Sequence, residues 1–159
     1  MRIILLSVII SFSCFMNADN KSRINQVFNN FNKDSVHLLD KFYHPNVKFK
    51  DPLSNLNSLE ELKKYYLKLY ENVTEIKFII PKITSNGDEY FVPWTMVVKT
   101  KKLAKDKPIN LEGVSHIKFD PATNLAIFHQ DHFDMGAMVY EHLPVIGWLV
   151  KKVKHKMHP

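Results

Sequence analysis

Cysteine is nearly absent from this chain: Cys14 is the only one among 159 residues. A lone thiol cannot close an intrachain disulfide, and a cysteine-ligated zinc site would lack ligands. Internal repeats and low-complexity linkers are also missing, so nothing divides the chain into an array or into tethered halves. No nucleic-acid-binding fold signature or aromatic-basic RNA motif occurs, and nucleic acid is not an expected partner. The formal charge of +6 points only weakly to a polyanion, because Lys151, Lys152, Lys154 and Lys156 all fall in the last ten residues. The apolar run from Ile3 to Phe15 is too short to span a bilayer comfortably.

The remaining composition, 45% hydrophobic, 12% aromatic and 24% charged, suits one globular domain with a useful core rather than disorder. Three segments are expected: a leader over 1–18, a domain over 19–140 and an apolar, basic extension over 141–159. Arg2 before the apolar run gives the leader an export pattern. Cleavage before Cys14 would follow the small residues Ser11 and Ser13, and Ser-Phe-Ser-Cys is a degenerate lipobox that would lipidate Cys14. Cleavage after Ala18 is a third option. The expected location is therefore periplasmic or extracytoplasmic, with a lipid anchor as a variant. An uncleaved leader packed on the domain would leave the protein cytoplasmic.

Past the leader, Ile24, Val27, Phe28 and Phe31 recur at helical spacing. Asp34 and Ser35 are placed to cap a second short helix carrying Val36, Leu39 and Phe42, which Tyr43-His44-Pro45 ends. Val47 to Asp51 alternates as a half-buried strand, with Asp51 at its end on the buried side. Ser58 and Glu61 form a capping box that opens a helix to about Asn72. Strands are expected near 75–84, 89–101, 109–120 and 125–134, with turns at Asn86-Gly87 and from Asp120 to Asn124. Helices ahead of an antiparallel meander indicate an α+β domain with helices on one sheet face.

Period-two alternation sorts the strand faces. Val92, Trp94, Met96 and Val98 share one. Ile109, Leu111, Gly113, Ser115, Ile117 and Phe119 share the next, with His116 and Lys118 opposite. Leu125, Ile127, His129, Asp131 and Phe133 share the last, with Gln130, His132 and Asp134 opposite. Four polar groups thus enter the inner faces: Asp51, Ser115, His129 and Asp131. Buried carboxylates are paired, hydrated or functional, and a histidine two residues from an aspartate can share a proton with it or with a substrate. The bland alternatives are a satisfied buried pair for His129 and Asp131, a turn role for Asp51, and core packing for Trp94 and Met96. A metal site from His129, Asp131 and Asp51 would have a single histidine, and no metal or other cofactor is expected.

The segment from Tyr43 to Pro52, ending in Asp-Pro, resembles SnoaL-like and ketosteroid isomerase-like proteins. Glu112 to Phe119 and Ile127 to Asp134 resemble their last two strands, and the similarity covers about residues 20–140. The resemblance implies a cone-shaped, nuclear transport factor 2-like fold with a pocket on the inner face of a curved sheet. It places Asp51 at the proton-shuttling base of ketosteroid isomerases. The acidic oxyanion-hole position falls at Ser115 and the helix-borne tyrosine near Val27 and Phe28, so steroid isomerisation is disfavoured. Asp131 matches a catalytic aspartate of limonene-type epoxide hydrolases, whose arginine and partner aspartate fall near Trp94 and Met96. His129 with Asp131 is the nearest match to the acid/base residue of SnoaL-type cyclases. Resembling proteins commonly dimerise through the outer sheet face, which extends to a homodimer expectation here.

Two functions follow from this reading. One is an acid/base enzyme of isomerase, cyclase or hydratase-like type, acting on a small apolar substrate. Asp51, His129 and Asp131 would do the chemistry, and Trp94, Met96, Ser115 and Phe133 would bind. The alternative is a non-catalytic carrier of an apolar or lipid-derived ligand. In the extension, Val145, Ile146, Trp148, Leu149, Val150 and Val153 form an apolar surface followed by lysines. It is read as a helix that packs on its own domain or a dimer partner, or that lies on anionic lipid.

Overall fold

The computed structural model describes residues 20–32, 34–101, 103–104 and 107–157. The leader, with the cleavage and lipidation readings at Cys14 and Ala18, lies outside the described residues. Helix α1 covers 20–30, α2 Leu38–Phe42 and α3 Leu59–Tyr70; the strands are β1 Tyr43–Lys50, β2 Asn55–Leu56, β3 Val73–Ile79, β4 Thr84–Asn86, β5 Glu89–Thr100, β6 Ile109–Phe119 and β7 Ala126–Phe133. A short helix α4 (Met135–Met138), a 3-10 turn (Tyr140–His142) and α5 (Pro144–Met157) complete the described chain.

The strands form one sheet in the order β2-β1-β7-β6-β5-β3, with β4 on β5 beyond β3. The expected meander β5-β6-β7 is present, but β1 runs parallel to β7, so the sheet is mixed and not wholly antiparallel. Its architecture, helices ahead of a curved sheet and a helix behind it, is the α+β class expected. Pro93 sits mid-strand in β5 opposite Val114 of β6, at the point where the other edge is unpaired because β3 pairs only up to Thr95 and β4 only from Phe91.

Two irregularities bend the sheet and correct the alternation. Between Tyr43 and Lys48, β1 advances five residues while β7 advances two, from Ala126 to Phe128. The strand therefore starts at Tyr43, four residues earlier than expected, and takes in Pro45. Across Lys118 and Phe119, β7 carries one extra residue, Ile127. This bulge turns Ile127 out to 38% exposure and puts Ala126 inside, so the inner face of β7 begins in the opposite phase and regains it at His129.

Helix ends follow local chemistry with two shifts. Ser58 Oγ accepts from the Glu61 amide at 3.2 Å as a capping box requires, but the Glu61 carboxylate reaches back to the Asn57 amide at 2.8 Å. Helix α2 starts after His37 without a side-chain cap; the Ser35 hydroxyl instead binds the Asn32 amide at 2.7 Å within the preceding turn. Arg23 staples α1 to the sheet. Its guanidinium donates to the carbonyls of Asn124 at 2.7 Å and Lys41 at 2.9 Å and lies over the Phe42 and Phe119 rings.

Behind β7 the chain turns at Asp134, whose side chain caps α4 by accepting from the Gly136 amide at 2.6 Å. Helix α5 then folds back on the 3-10 turn. Gly147 makes this approach possible, since a Cβ there would lie 2.4 Å from the Glu141 carbonyl oxygen. Lys154 fastens the contact by pairing with Glu141 at 2.5 Å and Asp134 at 3.3 Å. Among the described residues, no helix is long and apolar enough to cross a membrane.

Candidate functional site

Helices α1 and α3 lie over the concave sheet face and leave a cavity of about 130 Å³ between them and the strands. A cavity of roughly 150 Å³ lined by apolar groups holds benzene, so this one suits a compact molecule. Of the seven side chains singled out from sequence, six line it: Asp51, Trp94, Met96, His129, Asp131 and Phe133. Ser115 does not. It is fully buried and pairs across strands with Asp131.

The polar core of the site is one continuous hydrogen-bond chain. The Trp94 indole N–H donates to Ser115 Oγ at 2.9 Å, and the Ser115 hydroxyl donates to Asp131 Oδ1 at 2.5 Å. From the other side, His129 Nε2 meets the same Oδ1 at 2.9 Å, and its Nδ1 meets the Tyr43 hydroxyl at 2.5 Å. The Tyr66 hydroxyl interacts with that of Tyr43. A carboxylate only accepts, so Nε2 carries the hydrogen of its bond to Asp131, while Nδ1 shares its bond with the Tyr43 hydroxyl. The bonds from Trp94, Ser115 and His129 thus all point toward Asp131. Its Oδ1 takes both bonds, and Oδ2 accepts none from the described residues.

Burial separates the members of this chain. His129 is 2% exposed and Asp131 17%, so the carboxylate is the end that reaches the cavity. Phe49 stands edge-on to the imidazole at 5.2 Å and Tyr43 stacks on it at 5.8 Å, which fixes the ring plane. Burial pushes the hydroxyls of Tyr43 and Tyr66 well above the usual tyrosine range. The Asp131 charge pushes both in the same direction.

Asp51 is held differently. Its Oδ1 accepts from the amides of Leu53 at 2.8 Å and Ser54 at 2.7 Å, and its Oδ2 accepts from the Tyr65 hydroxyl. Both oxygens are therefore engaged by protein donors, in the manner of an Asx turn that ends β1. Asp51 borders the cavity but is the less available of the two carboxylates.

Alternation could not identify the tyrosines. Tyr43 reads from sequence as a helix terminator, and Tyr66 as one member of an apolar stripe with Leu59, Leu62, Leu69 and Val73. Only tertiary packing brings the Tyr65 hydroxyl to Asp51 and the Tyr43 hydroxyl to His129. The signal available was the concentration of tyrosine on α3, where leucine would fill a core without a polar handle. The aromatic lining is continued by Phe28 against Phe78 at 5.2 Å and by Phe78 against Trp94 at 5.6 Å. Among the described residues, no cluster of three or more His, Cys, Asp and Glu side chains is arranged to hold a metal.

Solved structures share this architecture. An NTF2-like protein of unknown function from Burkholderia pseudomallei K96243 superposes with a TM-score of 0.66 at 16% identity, covering 76% of this chain and 94% of that one. A protein of ketosteroid isomerase-like fold from Catenulispora acidiphila DSM 44928, solved with trimethylamine, gives 0.64 at 10% identity, with 77% and 90% covered. An LEH-like epoxide hydrolase of M. tuberculosis gives 0.61 at 12% identity, with 84% and 94% covered. At these identities the likeness concerns the fold. No curated protein matches the chain in sequence. The model of the SnoaL-like domain, however, matches residues 24–122, which hold most of α1, all of α3 and β6, and most of the cavity wall. The chain belongs to the SnoaL-like domain family.

Proposed function

We propose that the cavity binds a compact, largely hydrocarbon molecule and that Asp131 exchanges a proton with it. The hydrogen-bond chain converging on Asp131 Oδ1 carries this reading. Donors on one oxygen hold the carboxylate in place and leave the other to meet substrate, which is the geometry of a positioned general base. Ser115 and His129 act as positioning residues, with Tyr43 holding the far nitrogen of the imidazole. Aromatic walls exclude water and strengthen each polar contact inside.

Cavity size narrows the substrate. About 130 Å³ falls well below the 300–1,000 Å³ of pockets that bury drug-sized ligands. This favours a molecule of few heavy atoms over a polycyclic one. The reaction class is an isomerisation, cyclisation or hydration that begins with proton abstraction. A carrier reading is favoured by Asp51, whose full set of protein donors leaves it as part of the frame.

The two are separated by proton exchange in D2O, followed by NMR over a panel of compact ketones and aldehydes. Wild type should accelerate exchange at the carbon next to the carbonyl, and Asp131→Asn should lose on the order of a hundredfold or more of that rate. Binding without exchange in wild type, or equal rates in both proteins, would reject the enzyme and leave the carrier.

A further inference from the structure

We infer that the ligand of this cavity is a compact organic cation, a protonated tertiary amine or a quaternary ammonium group clad in hydrocarbon. The inference rests on the pocket reading above and supplies its substrate class. Two carboxylates border the cavity, and among the described residues no lysine or arginine does. Its one basic side chain among them, His129, is 2% exposed and has both ring nitrogens engaged, by Tyr43 and by Asp131. The carboxylates therefore face the cavity with no lysine or arginine in its described wall.

Geometry distinguishes their needs. Asp51 is satisfied by three protein donors, whereas Oδ2 of Asp131 accepts no hydrogen bond from the described residues. The raised tyrosine hydroxyls agree with this field, because the Asp131 charge adds to burial at Tyr43, Tyr65 and Tyr66. The wall of the same cavity holds Phe28, Tyr66, Tyr70, Phe78, Trp94 and Phe133. Aromatic rings bear negative faces, so they attract a desolvated cation while giving its alkyl groups an apolar wall. A neutral hydrocarbon would use the walls and leave the charge of Asp131 without a counterpart. An anion would meet two like charges.

Choline and its uncharged isostere 3,3-dimethylbutan-1-ol have nearly the same shape, and calorimetric titration of both isolates the charge. Wild type should bind choline at least about tenfold more tightly than the isostere, and Asp131→Asn should bring the two within about threefold. Equal or tighter binding of the isostere would overturn the cation and leave the pocket standing. Failure of both to bind would remove the cation and count against a compact-ligand pocket as well. The wild-type comparison stands even where Asp131→Asn does not fold.

A second, independent observation concerns α5. This helix is amphipathic in the wrong sense for a lone domain. Gly147 and Lys154 face the 3-10 turn, while Ile146, Leu149, Val153 and Met157, spaced by three and four, are 46% to 80% exposed. Trp148 beside them is 61% exposed, with the Lys152 ammonium over its ring at 4.7 Å. The helix has no acidic residue, and Lys151, Lys152 and Lys156 form no ion pair among the described residues. A second copy seated on this face would bring like charges together. We propose that α5 lies on an anionic lipid surface, with its apolar stripe among the acyl chains and the lysines at the phosphates.

Flotation with phosphatidylcholine vesicles, with and without phosphatidylglycerol, tests this. The full chain should favour the anionic vesicles at least about tenfold, less so at high salt, and Leu149→Asp with Val153→Asp should release it. Equal flotation with neutral vesicles, or undiminished binding of the double variant, would overturn the proposal. So would a dimer in sedimentation that the double variant dissolves, which would assign the stripe to a second copy.

Discussion

Gly113 is the residue on which the shape of the site depends most directly. It pairs across strands with Trp94, and the indole lies over it where a side chain would otherwise stand. A Cβ at this position would come within 2.3–2.8 Å of three indole carbons. The indole cannot simply tilt away, because its N–H holds Ser115 and Ser115 holds Asp131. Gly113→Ala should therefore cost about 1–3 kcal/mol, as overpacked cores do, and should also shift the Asp131 carboxylate. In a Trp148→Phe background, Trp94 is the only tryptophan of the chain. Its fluorescence maximum should move and the urea midpoint should fall. An unchanged spectrum with an unchanged midpoint would mean that the indole has room the structure does not provide.

At the scale of elements, alternation placed Trp94, Met96, His129, Asp131 and Phe133 on inner faces because β5, β6 and the end of β7 keep an unbroken ladder. The same rule misassigned Ile127, since a bulge changes phase without any mark in composition. The early start of β1 was hidden by Pro45, which reads as a break but is accommodated where β1 and β7 lose register. Capping chemistry located the start of α3 to the residue, because Ser58 and Glu61 act within one turn. What sequence could not supply is the meeting of α3 with β1. Tyr43 lies 86 residues from His129 in the chain, so their bond depends on helix-to-sheet packing and the parallel β1–β7 pairing. Local patterns therefore revealed the carboxylates and the apolar walls, while the hydroxyls that orient them required tertiary contact.

For the molecule as a whole, the enclosed tyrosines make stability depend on alkali. Burial, above all, lifts Tyr43 and Tyr66 far above the ordinary tyrosine range and Tyr70 to about 12. In the unfolded chain these hydroxyls ionise near pH 10. Above that pH the unfolded state has released protons that the folded state retains, so the folded state loses ground as pH rises. Each such group contributes a slope of about 1.4 kcal/mol per pH unit until its own folded value is reached, near 12 for Tyr70 and later for the others. Two of them amount to about 5 kcal/mol by pH 12, comparable with the net stability of a small domain. Urea midpoints should therefore be flat up to pH 9 and fall steeply between pH 10 and 11.5, with tyrosinate absorbance appearing together with unfolding. Lysines also titrate in this range, so the diagnostic quantity is the slope in Tyr66→Phe, which should be shallower by the share of one tyrosine. An identical slope in the variant would mean that Tyr66 ionises while the domain is folded, and that its burial does not hold the proton in place.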